Sequence, residues 1–118
     1  MIKSFTDLEQ SKKLAEILPL ESADYYHATD AGIVIIAPYI TYCGKERCVP
    51  AYKSAVPCWS LAVLLGVLPK IINNETLFIE TSAALWHIGY RNIYTARADN
   101  PVDACYEMIL KLHEQSLI

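Results

Sequence analysis

The stretch Asn73-Asn74-Glu75-Thr76-Leu77-Phe78-Ile79-Glu80-Thr81, taken together with residues 82–98, decides the fold. Asn73-Asn74-Glu75 has turn chemistry, because short amide side chains hydrogen-bond nearby backbone and tolerate positive φ. Residues 76–81 are rich in β-branched and aromatic types and read as a strand. Residues 84–89 and 93–98 repeat that pattern, with Arg91-Asn92 as the turn between them. Together they predict a three-stranded meander. On its middle strand the period of two puts Trp86, Ile88 and Tyr90 on one face and Leu85 and His87 on the other. Asn100-Pro101-Val102-Asp103 then starts a helix, with Asn100 as N-cap and Pro101 at the first helical position. Val102, Cys105, Tyr106, Ile109, Leu112 and His113 share one side of that helix. Asp103, Glu107, Lys111 and Glu114 share another.

Working towards the N-terminus, residues 58–68 form an apolar run after Pro57, with Ser60 its only strongly polar member. Proline suits the first turn of a helix, so a helix over 58–68 is expected. A helix apolar all round must be covered on nearly every side. It is expected at the centre of the core or partly in a subunit interface, with Trp59, Leu61, Leu64, Leu65 and Leu68 the most buried. From Pro38 to Pro57 the pattern breaks, and loops this long in compact domains are often functional. Residues 25–28 and 33–37 flank Thr29-Asp30-Ala31-Gly32 and read as a hairpin. Its second arm is apolar without alternation and is expected to be a central strand covered on both faces. Thr6-Asp7-Leu8-Glu9 reads as a capping box, with Thr6 as N-cap and Glu9 reaching back to it. The helix it opens should end at Leu18, because Pro19 disfavours helical geometry there. The whole is a single α+β domain over residues 1–118. It should have a mainly antiparallel sheet of about five strands, hairpin plus meander, packed with three helices.

The chain has 118 residues, 53% hydrophobic and 19% charged, with a net charge of −3. That is one domain's length and enough apolar material for a core without metal or disulfide staples. Intrinsic disorder is excluded by composition. A general nucleic-acid or anionic-membrane binder is disfavoured by charge. No apolar segment follows a basic start, so no secretory signal is expected. The apolar run 58–68 falls well short of the ~20 residues of a membrane crossing. The expectation is a cytoplasmic protein with reduced thiols, no membrane partner and no cofactor.

Ile40-Thr41-Tyr42-Cys43-Gly44-Lys45-Glu46-Arg47, Trp59-Ser60-Leu61-Ala62 and Ala98-Asp99-Asn100-Pro101-Val102-Asp103-Ala104-Cys105-Tyr106-Glu107-Met108-Ile109 resemble a family of small proteins. That family is encoded by phages and integrated mobile elements of gut bacteria. The likeness covers most of the chain. It implies an accessory protein of mobile DNA and carries over no catalytic residue.

Cys43 and Cys48 have four residues between them, within the loose range of zinc-ligand spacing, and Cys58 or His27 would complete a site. Lys45 and Arg47 beside Cys43 would favour its thiolate. The plainer reading is four reduced cysteines acting as small hydrophobes. His27, His87 and His113 share no local motif, although a strand face could bring His87 to His113. Ser60 lacks the Gly-x-Ser-x-Gly context, and Gly44-Lys45 lacks the upstream glycine of a phosphate loop. The order helix, three strands, helix resembles that of double-stranded-RNA-binding domains. Asp99, Asp103 and Glu107 stand where those domains carry lysines, so phosphate would be repelled. Lys45, Arg47 and Lys53 alone would give weak, salt-sensitive binding.

Tyrosine is the positive signal. The chain has eight, and Tyr25, Tyr26, Tyr39, Tyr42 and Tyr52 gather around the hairpin and the long loop. Tyrosine offers rigid amphipathic contact area and is enriched at interfaces. The expected function is therefore a protein-interaction module rather than an enzyme, self-associating as a homodimer or larger. Its surface would comprise Tyr39, Tyr42, Lys45, Arg47 and Tyr52. The competing expectations are a thiol- or zinc-dependent protein using Cys43, Cys48 and Cys58, and a weak nucleic-acid binder through the Lys45-to-Lys53 loop.

Overall fold

A computed structural model describes residues 3–30, 33–38, 41–42, 46–47 and 56–118. The chain is α+β, with every strand pair among the described residues antiparallel, and it divides into two compact units. One spans Phe5–Val63; the other spans Leu64–Ile118 together with Met1–Ser4.

The first unit opens with α1 (Leu8–Ala15). Its N-cap is Asp7, whose carboxylate accepts the Gln10 N–H at 2.8 Å while Gln10 Oε1 accepts the Asp7 N–H. The capping box thus lies one residue later than Thr6 and Glu9. Thr6 is committed elsewhere: its N–H donates to the Trp59 carbonyl and its Oγ1 accepts the Trp59 N–H. α1 ends its regular turns at Ala15, short of the expected Leu18, and Glu16 caps it. After a short 3-10 turn (Leu20–Ser22) come β1 (Tyr25–Asp30), β2 (Ile33–Pro38), β3 (Thr41–Tyr42), β4 (Glu46–Arg47) and β5 (Val56–Cys58).

The hairpin β1–β2 is as expected, but β2 is not central among the described strands. The order is β2-β1-β5, so β1 takes the middle and β2 an edge. β5 is the reason, and it also overturns the expected helix over 58–68. Val56–Cys58 is extended and pairs with Tyr25–His27. Pro57 fits there because β5 is itself an edge strand among the described residues, where a missing N–H costs no ladder bond. The segment 38–57 likewise holds a described two-stranded ladder, β3–β4, with Thr41 opposite Arg47 and Tyr42 opposite Glu46.

The next helix, α2 (Leu61–Val67), is seven residues long, and the boundary between the units falls within it. Ser60 caps it, its Oγ accepting the Val63 N–H at 3.4 Å. Trp59, Leu64 and Leu68 are buried as expected. Leu61 and Leu65 are only half-buried, and Ala62 and Gly66 are exposed. α2 is therefore not the all-round covered centre that its composition suggests.

The second unit continues with β6 (Ile71–Ile72), β7 (Glu75–Ser82), β8 (Leu85–Tyr90), β9 (Tyr94–Ala98) and α3 (Pro101–Glu114). The expected meander is present and one strand wider, in the order β6-β7-β8-β9. One five-stranded sheet is thus replaced, among the described residues, by separate sheets of three, two and four strands. Asn73 and Asn74 take positive φ in the tight β6–β7 turn, the conformation such two-residue hairpins require. α3 begins as its sequence dictates, the Asn100 side chain accepting the Asp103 N–H at 2.9 Å with Pro101 following. Val102, Ala104, Cys105, Met108, Ile109 and Leu112 are all buried along it. They pack on the sheet face that carries Ile88, Tyr90 and Ala96. The Tyr90 hydroxyl enters this core and donates to the Pro69 carbonyl, and burial pushes its pKa up to about 12.

Candidate functional site

α3 packs over β8 and β9 on one face of the four-stranded sheet, and the opposite face carries exposed Thr76, Glu80, Ser82 and Arg97. Residues directly opposite each other in antiparallel strands point to the same face. Glu80 on β7 lies opposite His87 on β8, and His87 lies opposite Arg97 on β9. An acid, an imidazole and a guanidinium therefore form one row across three strands. Phe78, Thr76 and Ser82 share that face from β7, as do Leu85 and Gly89 from β8. Phe78, Leu85 and His87 are half-buried, whereas Glu80 and Arg97 are exposed. The Arg91 guanidinium stacks over the Phe78 ring at 4.4 Å and donates to Glu80 Oε2 at 3.2 Å. His87 Nε2 donates to the Ser82 carbonyl at 3.4 Å, a long bond. Such a mixture of aromatic and aliphatic area with balanced charges suits contact with another protein surface.

The edge of the same sheet carries a second feature. The Leu77 N–H donates to the Lys70 carbonyl at 2.8 Å, on the β6 side. Along an antiparallel strand the N–H and C=O of one residue point to the same side, and the side alternates. Ile79 and Thr81 therefore also direct their amides to the β6 side. β6 pairs only with Glu75 and Thr76, so these four groups have no partner among the described residues. Ile79 is also 44% exposed.

Of the residues that the sequence singles out, Tyr39, Cys43, Lys45, Cys48, Tyr52 and Lys53 lie outside the described residues. Tyr42 is on β3 and Arg47 on β4. Cys58 ends β5 fully buried, and its thiol is pushed up to about 12 by burial and then by Asp24. Burial does the same to Cys105 on α3. Both are held as neutral core thiols. No group of three or more His, Cys, Asp or Glu residues that could hold a metal ion occurs among the described residues.

The histidines are not brought together. His113 is exposed near the end of α3, and His87 is tied to its own hairpin. His27 is buried, its Nε2 donating to the Thr6 carbonyl at 2.7 Å. Around it the Thr6 and Ser11 hydroxyls meet at 2.8 Å, and the Trp59 indole N–H donates to Ser22 Oγ at 2.9 Å. Asp24 accepts the Ser60 N–H at 2.9 Å. These bonds tie Trp59 and Ser60, just after β5, to Thr6, Ser22 and Asp24, and tie β1 and α1 to Thr6, which is structural work. Asp103, part of the acidic face of the last helix, forms an ion pair with Lys3 at 2.7 Å.

The residues that sequence reasoning passed over are Phe78, Glu80, Arg91 and Arg97. Their signal was the alternation in β7 and the Leu85/His87 face of β8. What the alternation lacked was knowledge of which face α3 would cover. Comparison of the chain with protein-family models, with curated proteins and with solved structures gives no match.

Proposed function

We propose that this chain is a non-enzymatic protein-interaction module, and that the face of the four-stranded sheet opposite α3 is part of its contact surface. The observation that carries the reading is the Glu80–His87–Arg97 row, with Glu80 and Arg97 exposed and Phe78, Leu85 and His87 half-buried, on the sheet face turned away from α3. Aromatic and arginine side chains at the centre of such a face are what protein interfaces concentrate. The resemblance to proteins of phages and integrated elements supports a regulatory accessory role, directed at a host or element-encoded protein. Tyr39, Tyr42, Lys45, Arg47 and Tyr52 are proposed as a second contact region.

The test is affinity capture with the full chain from cells that carry it, read by quantitative mass spectrometry. Arg97→Glu with Phe78→Ala is expected to lose the captured partner. So is the alanine set at Tyr42, Arg47 and Tyr52, if that region contributes. A partner that stays bound to both variant sets would sink the reading.

A further inference from the structure

We infer that the edge of β7 left unpaired among the described residues pairs antiparallel with β7 of a second copy of this chain, joining two four-stranded sheets into one. This pairing deepens the interaction reading by naming the partner, and rests on it.

The edge is limited at both ends. On one side β6 occupies the place beside Leu77, whose N–H is already given to Lys70. On the other, Ala83 and Ala84 take positive φ and turn the chain into β8. What stays open among the described residues is the five from Phe78 to Ser82, with Ile79 and Thr81 presenting their amides outward. A second copy brings a window with the same limits. Two such windows overlap fully in one antiparallel register, centred on Glu80. In it Ile79 faces the partner's Thr81 and Thr81 faces the partner's Ile79. All four outward amide groups of each copy's pair are then satisfied, by four hydrogen bonds across the seam.

The side chains agree with that register. Exposed Ile79 comes against the partner's Thr81 methyl and, diagonally, the partner's Ile79. Glu80 comes opposite the partner's Glu80, which would repel if both were bare. Each is already compensated by its own Arg91 at 3.2 Å. The contact is isologous and closes on itself, so it ends at a dimer. At the other end of the sheet the Lys111 ammonium donates to the Thr95 carbonyl at 3.1 Å, a charge placed on the edge of β9. Charged side chains on edges block strand addition. The open window of β7 has no such guard facing outward, since its one acid is neutralised by Arg91.

The experiment uses the full chain. Sedimentation of the wild type should show a mass twice that of the chain, dissociating on dilution. Thr81→Pro removes one outward N–H and leaves the β8 ladder intact, because that N–H points away from β8. It should halve the mass while circular dichroism stays unchanged. Arg91→Ala should raise the dissociation constant by about tenfold, and Arg91→Ala with Glu80→Gln should restore it. In a Cys43→Ser/Cys48→Ser background, Glu80→Cys should give an intermolecular disulfide as the main species under mild oxidation. Directly opposed residues of a non-hydrogen-bonded pair lie about 4.5 Å apart at Cα, within disulfide reach. Thr76→Cys in the same background should not cross-link.

A wild type that is monomeric at every concentration overturns the inference. So does a dimer that survives Thr81→Pro, or one in which Glu80→Cys fails to cross-link. A monomer that still loses a captured partner through Arg97→Glu and Phe78→Ala would sink the second-copy pairing and leave the interaction reading standing.

Discussion

In the unit spanning residues 5–63, polar side chains close the structure. Thr6, Ser11, His27, Ser22 and Asp24 bind backbone and indole groups over sequence separations of up to 53 residues. In the unit spanning residues 64–118, one amphipathic helix closes the structure by apolar packing on a sheet. The difference arises from what each sheet leaves over. The N-terminal hairpin must hold β5 beside β1 after a long excursion, and directional hydrogen bonds fix such a return. The C-terminal strands are consecutive, so short turns set their register and the helix need only be greasy on one side. The lesson is that local turns and apolar packing suffice to close the second unit, whereas the non-local return in the first is fixed by directional hydrogen bonds.

The sharpest way to break this contrast is to remove one anchor from each unit. Ile109→Ala opens a cavity beneath α3 and should cost about 2–5 kcal/mol. Thr6→Val conserves volume and removes only the hydroxyl. It leaves the Trp59 N–H without its acceptor and the Ser11 hydroxyl with only its long 3.4 Å bond to the Thr6 carbonyl, so it should cost about 1–3 kcal/mol. Urea melts of the full chain measure both. A neutral Thr6→Val would mean that the first unit, too, is held by burial alone.

Much of the second unit is legible from local chemistry. Asn73-Asn74 announces a turn, and Asn100-Pro101 announces the start of a helix. Ala83 and Ala84 announce nothing, yet both take positive φ, a conformation asparagine and glycine adopt at lower cost. The strands on either side decide that turn. Gly89 is likewise silent in sequence, although a Cβ there would collide with the Tyr94 carbonyl oxygen. In the first unit the illegible part is non-local. Pro57 is compatible with a helix start and with an edge strand, and pairing with β1 selects the strand. Thr6 and Asp7 are both good caps, and the pull of Trp59 on Thr6 leaves the role to Asp7. The candidate site is half legible for the same reason. The alternation of β8 shows a Leu85/His87 face, but where β6 stops, and so which amides stay free, depends on Lys70 pairing with Leu77.

A smaller and broader effect comes with alkali. Cys58 in the first unit and Cys105 and Tyr90 in the second all have pKa values raised to about 12 by burial. In the unfolded chain the thiols ionise near 9.0 and the phenol near 10.0. Between those values and about 12 the unfolded state binds fewer protons than the folded one. Stability is therefore fully present below pH 9 and falls as pH rises towards 12. Thermal melts taken from pH 8 upward should show a steadily falling midpoint. Cys58→Ala should flatten the part of the slope that belongs to the first unit. A midpoint level through this range would contradict the neutral, buried state of these groups.

The smallest expected change in stability tests the contrast between the two edges of one sheet. Thr95, like Ile79 on the opposite strand edge, lies where its carbonyl points away from the neighbouring strand, and Lys111 covers that carbonyl. An exposed lysine bonded to one carbonyl contributes little to folding, so Lys111→Ala should move stability by less than about 0.5 kcal/mol. Its consequence lies in assembly. A dimer sealed along β7 would still carry two β9 edges, one at each end, and the lysine charge would keep each from adding a further strand. Removing it should leave the unfolding midpoint in place while species larger than the dimer appear as concentration rises in sedimentation. Combining it with Thr81→Pro should return the chain to a weaker, single association through β9. If Lys111→Ala sediments as the wild type does at every concentration, the protection of that edge resides in backbone twist, and the two edges differ by pairing alone.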